Sequence, residues 1–272
     1  MPFVEVETPL APGGAVELHY RERGRGPAVL LLHSGWGWEA YPFASQLRAL
    51  SGRYRVVAPD RTGYGRSPPL AELPPDYHRL YARETLTLMS ALGIDSAALW
   101  GHSDGAVVAA WMAIEAPGRV RGVILEAFHF WRAKLASLPF FETGARSPED
   151  FGADKVAALR RDHGDARWRT IVRAGARAWL QIIESGQRQG GDLYGGRLAE
   201  IRCPALLLHG LRDPRTEPGE MEAAREAVPG AVLEFVDAGH SPHSSSRMSG
   251  QATRIAERFL SHLPEAPGGT GR

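Results

Sequence analysis

Five residues, Gly101-His102-Ser103-Asp104-Gly105, stand without a spacer between an apolar run, Ser96–Trp100 (SAALW), and an apolar segment of helical character, Ala106–Glu115. A chain that leaves a buried strand and enters a helix this quickly turns so sharply that flanking side chains would collide. Glycine on both sides of the serine meets that demand. The turn lifts the Ser103 hydroxyl above the strand end and aims the first free N–H groups of the helix at the same point. The Asp104 N–H is thereby placed to stabilise a developing oxyanion. A serine capping a helix is the plainer reading, but the strand before and the helix after favour a nucleophile.

The rest of the chain repeats the same alternation of short apolar runs and longer amphipathic segments, the pattern of a mostly parallel sheet covered by helices. Phe3–Thr8 and Ala15–Glu22 predict a hairpin around the turn-rich LAPGG. Further strands are expected at Ala28–Leu32, Arg55–Ala58, Ser96–Trp100, Val120–Leu125, Ala205–Leu208 and Val232–Val236. Helices are expected at Glu39–Ser51, Leu80–Leu92, Ala106–Glu115, Pro218–Ala227 and Ser246–Leu263. One gap, from Phe128 to about Ile201, is too long for an ordinary sheet connection and holds no convincing strand. Its stripe at Trp168, Ile171, Val172, Gly175, Trp179, Ile182 and Ile183 has the spacing of an amphipathic helix. The expected division is therefore a core over 1–127 and 202–263, a helical cap over 128–201, and a mobile tail over 264–272.

Composition narrows the function classes. With 272 residues, 32 Lys+Arg against 31 Asp+Glu and 43% hydrophobic residues, the chain has ample material for a buried core and no field that would gather nucleic acid or an anionic membrane. The longest apolar run, Gly105–Ile114, is far short of the roughly 20 residues that span a bilayer. The first residues, MPFVEVETPL, carry no basic and apolar leader, so a cytoplasmic protein is expected. Cys203 is the sole cysteine, which excludes an internal disulfide and a cysteine-based metal cluster. No glycine-rich phosphate cradle follows a strand, and no metal-ligand spacing is evident, so no cofactor or metal is expected.

Several ordered motifs around the pentapeptide make the chain resemble the α/β-hydrolase superfamily, in its esterase, lactonase and C–C hydrolase branch, over about residues 3–263. His33-Ser34-Gly35-Trp36-Gly37 is similar to the family's oxyanion loop, with serine in place of the first glycine. Asp60-Arg61-Thr62-Gly63-Tyr64-Gly65-Arg66-Ser67 resembles the segment after the next strand, and the loops His209–Pro214 and Asp237–Ser241 resemble those bearing the acid and the histidine. The resemblance implies an eight-stranded, mostly parallel sheet with helices on both faces and a helical cap. It also implies Ser103 as nucleophile, His240 as base and Asp213 as orienting acid, with a second oxyanion donor at Gly35 or, one residue on, Trp36. The order serine, aspartate, histidine is that of hydrolases of this fold. Glu126, at the end of the Val120–Leu125 strand, is a rival acid, and His243 a rival base. His102, His129 and His209 read as packing or hydrogen-bonding residues, and His33 as a brace for the oxyanion loop.

Such a serine triad implies attack on a small carboxylic ester or lactone through an acyl-enzyme, with that small molecule as the partner; oligomeric state is left open, a homodimer included. C–C bond hydrolysis, acyl transfer, perhydrolysis and a receptor without turnover use the same residues and stay open. Asp104 sits where hydrolases similar to valacyclovir hydrolase, which cleave amino-acid esters, also have aspartate. It pairs with a substrate amine if it faces the pocket, or else it bonds locally. Trp36, Phe128 and Trp131, with other aromatics of the cap, are expected to line an apolar substrate site.

Overall fold

The computed structural model describes residues 2–11 and 13–264. Eight strands form a single sheet in the order β1-β2-β4-β3-β5-β6-β7-β8. They are β1 (Phe3–Glu7), β2 (Ala15–Arg23), β3 (Ala28–Leu32), β4 (Arg55–Pro59), β5 (Ala97–His102), β6 (Val120–Glu126), β7 (Ala205–Gly210) and β8 (Val232–Val236). The β1–β2 and β2–β4 pairs are antiparallel and all other pairs are parallel. The expectation for 264–272 falls, beyond Pro264, outside the described residues.

Alternate residues of a strand point to opposite faces, and both faces here are covered, so the central strands read as unbroken apolar runs. Leu30, Leu32, Leu99, Val123 and Leu207 pack on one face, against α2 (Tyr77–Ala91), α3 (Asp104–Glu115) and the helices inserted after β6. Val29, Leu31, Trp100, Ile124 and Leu206 pack on the other, against α1 (Ala44–Leu50) and α8 (Ser249–Ser261). α1 starts at Ala44 rather than the expected Glu39, because Pro42 biases the residue before it away from helical geometry.

Between β6 and β7 the chain forms α4 (Leu138–Arg146), α5 (Ala153–His163) and the long α6 (Trp168–Gln189), and α7 (Glu220–Ala227) follows β7. All seven stripe residues of α6 are buried. This insert is tied down at two places. The buried Lys134 ammonium bonds the carboxylate of Glu220, which also accepts the Phe130 and Trp131 N–H groups at 2.9 and 3.2 Å. Midway along it, at the end of α5, His163 accepts the Gly65 N–H through Nδ1 (2.9 Å) and donates through Nε2 to the Trp36 carbonyl (3.1 Å). No helix among the described residues is long and apolar enough to cross a membrane.

The junction of β5 with α3 is the tightest point of the fold. A Cβ on Gly101 would stand 2.1 Å from the Gly105 carbonyl oxygen, and one on Gly105 would stand 2.1 Å from that of Leu32. Backbone cannot yield as a side-chain end can, so Gly105→Ala is expected to force α3 off β3 and to lower unfolding free energy by about 3 kcal/mol. Urea denaturation against the parent checks this, and a loss under about 1 kcal/mol would mean the junction has slack.

Candidate active site

Each strand of the parallel half delivers one piece of the site at its carboxyl end, where open α/β sheets place their ligands. After β5, Ser103 adopts φ 55°, ψ −119°, the left-handed side of backbone space for a residue with a Cβ. Its N–H donates to the Glu126 carbonyl at 2.8 Å, which holds the turn against the next strand. Conformations of this kind cost about 1–3 kcal/mol and persist where the surroundings fix them.

The loop after β3 carries the expected oxyanion segment. His33 donates through Nδ1 to the Ser34 carbonyl (2.6 Å) and accepts the Arg61 N–H at Nε2 (3.3 Å), while the buried Arg61 guanidinium reaches the carbonyls of His33 and Ser34 at 2.7 and 2.8 Å. His33 thus braces the loop. Burial, and then the Arg61 charge, keep its pKa well below the ordinary value, which suits the neutral ring these bonds require. Of the two candidate donors, the Trp36 N–H is given to Ser34 Oγ (3.3 Å), whereas that of Gly35 meets no acceptor among the described residues. The Asp104 N–H, at the start of α3, is likewise without an acceptor there. Gly35 is glycine because a Cβ would lie 2.5 Å from Asp104 Oδ2.

The two rival carboxylates separate by their partners. Asp213 Oδ2 lies 2.8 Å from His240 Nδ1, and its other oxygen accepts the Arg215 N–H at 3.0 Å. Glu126 is fully buried on the opposite side of the turn; it accepts Trp100 Nε1–H (2.8 Å), the His243 N–H (2.9 Å) and His243 Nδ1–H (2.8 Å). His243 is therefore the partner of Glu126, with its ring stacked 3.7 Å from Phe43, and not of Ser103. Ligand atoms of His102, Glu126 and His243 lie within 4.8 Å of one another, as metal ligands do. Within this group Glu126 and His243 are hydrogen-bonded to each other (2.8 Å).

His240 is buried; burial first, and then the positive charge of Arg215, hold its pKa well below the ordinary value. Its Nε2 has no hydrogen-bond partner among the described residues. The Ser103 hydroxyl is instead 3.1 Å from Nε2 of His129, whose ring lies 5.8 Å from that of His240 and nearly parallel to it. Sequence reasoning treats His129 as a packing or hydrogen-bonding residue; the structure puts that hydrogen bond on the serine itself. The available signal is position: His129 lies three residues beyond β6, the strand beside the one that carries Ser103. His102 and His209 serve neighbouring backbone and side chains, through the His240 carbonyl (3.0 Å) and Thr216 Oγ1 (2.6 Å).

Asp104 lines the cavity in front of Ser103, with both oxygens engaged. Tyr77 donates its hydroxyl to Oδ2 (2.6 Å), Trp179 donates Nε1–H to Oδ1 (3.0 Å), and His78 Nε2 lies 3.5 Å from Oδ2. Burial would raise the pKa of this carboxyl, but His78 and the Tyr77 hydroxyl outweigh it and hold it well below the usual range. The cavity offers about 20 Å³ to water centres, room for one or two waters. Trp36, Phe140, Phe141, Trp179, Tyr41 and Arg215 form its walls. The expectation for Phe128 and Trp131 is corrected here. Phe128 is buried in the core against Tyr194 (5.4 Å, stacked) and Trp131 packs on Phe130 (4.4 Å), both away from this cavity. An aromatic ring in a core and one in a pocket carry the same sequence signal. Tyr41 and Arg215 have no motif that would reveal them.

With this geometry in place, comparison with known proteins is direct. The family model described as alpha/beta hydrolase fold matches residues 27–246. Serine hydrolase BPHL of Homo sapiens is 29% identical over 251 residues, covering 90% of this chain and 83% of that protein. The magnesium-chelatase 30 kDa subunit of Rhodobacter capsulatus is 30% identical over 246 residues, covering 80% and 82%. Among solved structures, the enol-lactonase of Burkholderia xenovorans LB400 superposes with a TM-score of 0.74 at 22% identity, covering 96% of this chain and all of that one. A thermophilic esterase of Thermogutta terrifontis superposes with a TM-score of 0.72 at 24% identity, covering 96% and 98%. The eight-stranded sheet, the strained serine turn and the match over residues 27–246 lead to one conclusion: this chain is an enzyme of the alpha/beta hydrolase fold family.

Proposed function

We propose that the chain is a serine hydrolase that cleaves a small carboxylic ester or lactone through an acyl-enzyme formed on Ser103. The observation that carries this reading is the 2.8 Å contact between Asp213 Oδ2 and His240 Nδ1, with Nε2 of the same ring left unpaired among the described residues. A ring that donates from Nδ1 to a carboxylate presents a lone pair at Nε2, the state of a general base. In the resting arrangement Ser103 is bonded to His129. Rotation about the Ser103 Cα–Cβ bond on substrate entry would hand the hydroxyl to His240, a tightening common to sites that are loose when empty. Ser103 Oγ then attacks the carbonyl carbon as His240 takes its proton. The N–H groups of Asp104 and Gly35 receive the oxyanion, and the proton passes to the leaving alkoxide. Water, activated by the same imidazole, releases the acyl group. The reaction so drawn uses side chains and backbone only, without a cofactor.

The names of similar proteins, a serine hydrolase, an esterase and an enol-lactonase, support ester or lactone cleavage. Asp104, engaged by Tyr77 and Trp179, is assigned to building the site rather than to holding an amine.

The direct test is fluorophosphonate labelling read by intact mass, alongside turnover of a short-chain nitrophenyl ester. One adduct is expected, absent from Ser103→Ala, with turnover down about 10³-fold or more in both Ser103→Ala and His240→Ala. Adduct formation that survives Ser103→Ala would move the nucleophile elsewhere. Asp213→Asn is expected to cost at least about 100-fold more turnover than Glu126→Gln, and the reverse ranking would transfer the acid to Glu126. The base is active when neutral, and its pKa is lowered, so the acid limb of kcat/KM is expected below pH 6.5, with the pH 8 rate retained at pH 6. A limb at pH 7 or above would mean that burial and Arg215 do not depress the His240 pKa in the free enzyme.

A further inference from the structure

The cavity in front of Ser103 holds two ionised groups of opposite sign, and they are not equally provided for. The Asp104 carboxylate has Tyr77, Trp179 and His78 around it. The Arg215 guanidinium has no carboxylate within ion-pair distance among the described residues, although 32 basic and 31 acidic side chains make such partners plentiful. One terminal nitrogen of Arg215 donates to the Tyr41 hydroxyl (3.1 Å), and its plane covers Phe140 at 3.5 Å. Tyr41 lines the same cavity, and its own O–H proton meets no acceptor among the described residues. Lys155 stands 3.8 Å over the Tyr41 ring, adding a second positive charge beside it. The Arg215 N–H donates to Asp213 Oδ1 (3.0 Å), which ties this residue's backbone to the Asp213–His240 pair, while Tyr41 and Phe140 hold its guanidinium.

We propose that Arg215 and Tyr41 form a receptor for a carboxylate carried by the substrate, so that the ester or lactone attacked by Ser103 is a monoanion. This rests on the hydrolase reading above and adds the substrate class. A carboxylate there would accept from the guanidinium and from the phenol O–H together, the geometry in which arginine binds strongly and with direction. Its charge also serves the chemistry. Arg215 opposes protonation of His240, and burial already disfavours the imidazolium. A substrate anion seated on Arg215 cancels that opposition when His240 must take the Ser103 proton, so a neutral ester of the same size meets a less capable base.

The test separates binding from turnover. In Ser103→Ala protein, where an ester survives, calorimetry compares mono-4-nitrophenyl glutarate with 4-nitrophenyl valerate. The anionic ester is expected to bind at least tenfold more tightly, and adding Arg215→Gln is expected to collapse that ratio at least tenfold, with Arg215→Lys restoring part of it. Tyr41→Phe, which removes only the phenol, is expected to lower the ratio two- to fivefold and decides the matter should Arg215→Gln not fold. An equal loss on both esters overturns the proposal, as does the lack of any preference for the anion, absence of binding included. The same ratio read as kcat/KM with Ser103 intact should move in parallel. Hydrolysis that persists without Ser103 would sink the nucleophile assignment and leave the binding comparison to judge Arg215 by itself.

Discussion

Everything at the site is referred to one close contact, the packing of the Gly101–Gly105 turn against the carbonyl ends of β3. Because Gly105 lies against the Leu32 and His33 oxygens, α3 begins beside the loop that carries Gly35. The free N–H groups of Gly35 and Asp104 therefore belong to one rigid body. The strain at Ser103 is held by the same packing and by the hydrogen bond to Glu126 of the neighbouring strand. Such strain survives because strand, helix and loop would all have to move together to release it.

Around this turn the protein gathers histidines and keeps them neutral. His33, His102, His129 and His240 are all buried, and burial is the largest cause lowering the pKa of each. Their mutual closeness adds to it, since His129 and His240 lie ring over ring and His102 is 5.1 Å from His240. Neutral rings bond through one donor and one acceptor, so His33, His102 and His240, each facing a carbonyl or carboxylate acceptor, have a fixed tautomer. Glu126 takes two bonds from His243 and one from Trp100 and is thereby kept away from His240. A second carboxylate near the site thus serves the scaffold without competing with Asp213.

The sheet was legible because residues covered on both faces leave continuous apolar runs. Ala28–Leu32 was bounded correctly on that signal alone, and Val232–Val236 was bounded correctly although it is an edge strand with Val232 and Phe235 exposed. Where the reading fell short, several strands ran one or two residues further, to Arg23, Pro59, His102, Glu126 and Gly210, because those last residues are polar, glycine or proline and do not extend the apolar run. The long α6 declared itself by its stripe, but α4 and α5 did not. α4 is short and carries proline and glycine, and α5 is mostly polar with its few buried residues near one end. Motif residues at strand ends were placed well, because the strand fixes where a loop begins. His129, Tyr41 and Arg215 were not, since their positions follow from how the insert and two distant loops come together.

The order of these pieces along the chain has a consequence for biosynthesis. Ser103 and the Gly35 loop precede the insert, whereas Asp213 and His240 follow it, and β6 pairs with β7 across a connection of about 80 residues. Closing so long a connection is slow compared with pairing strands joined by a tight turn. Under the mechanism proposed above, a ribosome-bound chain that has emerged only to the end of α6 already owns a serine and the backbone donors beside it, yet lacks both Asp213 and His240, the groups assigned to drawing off the serine's proton. On that mechanism the hydroxyl would gain its base only once the last quarter of the polypeptide has docked, so reactivity would arrive together with the completed fold.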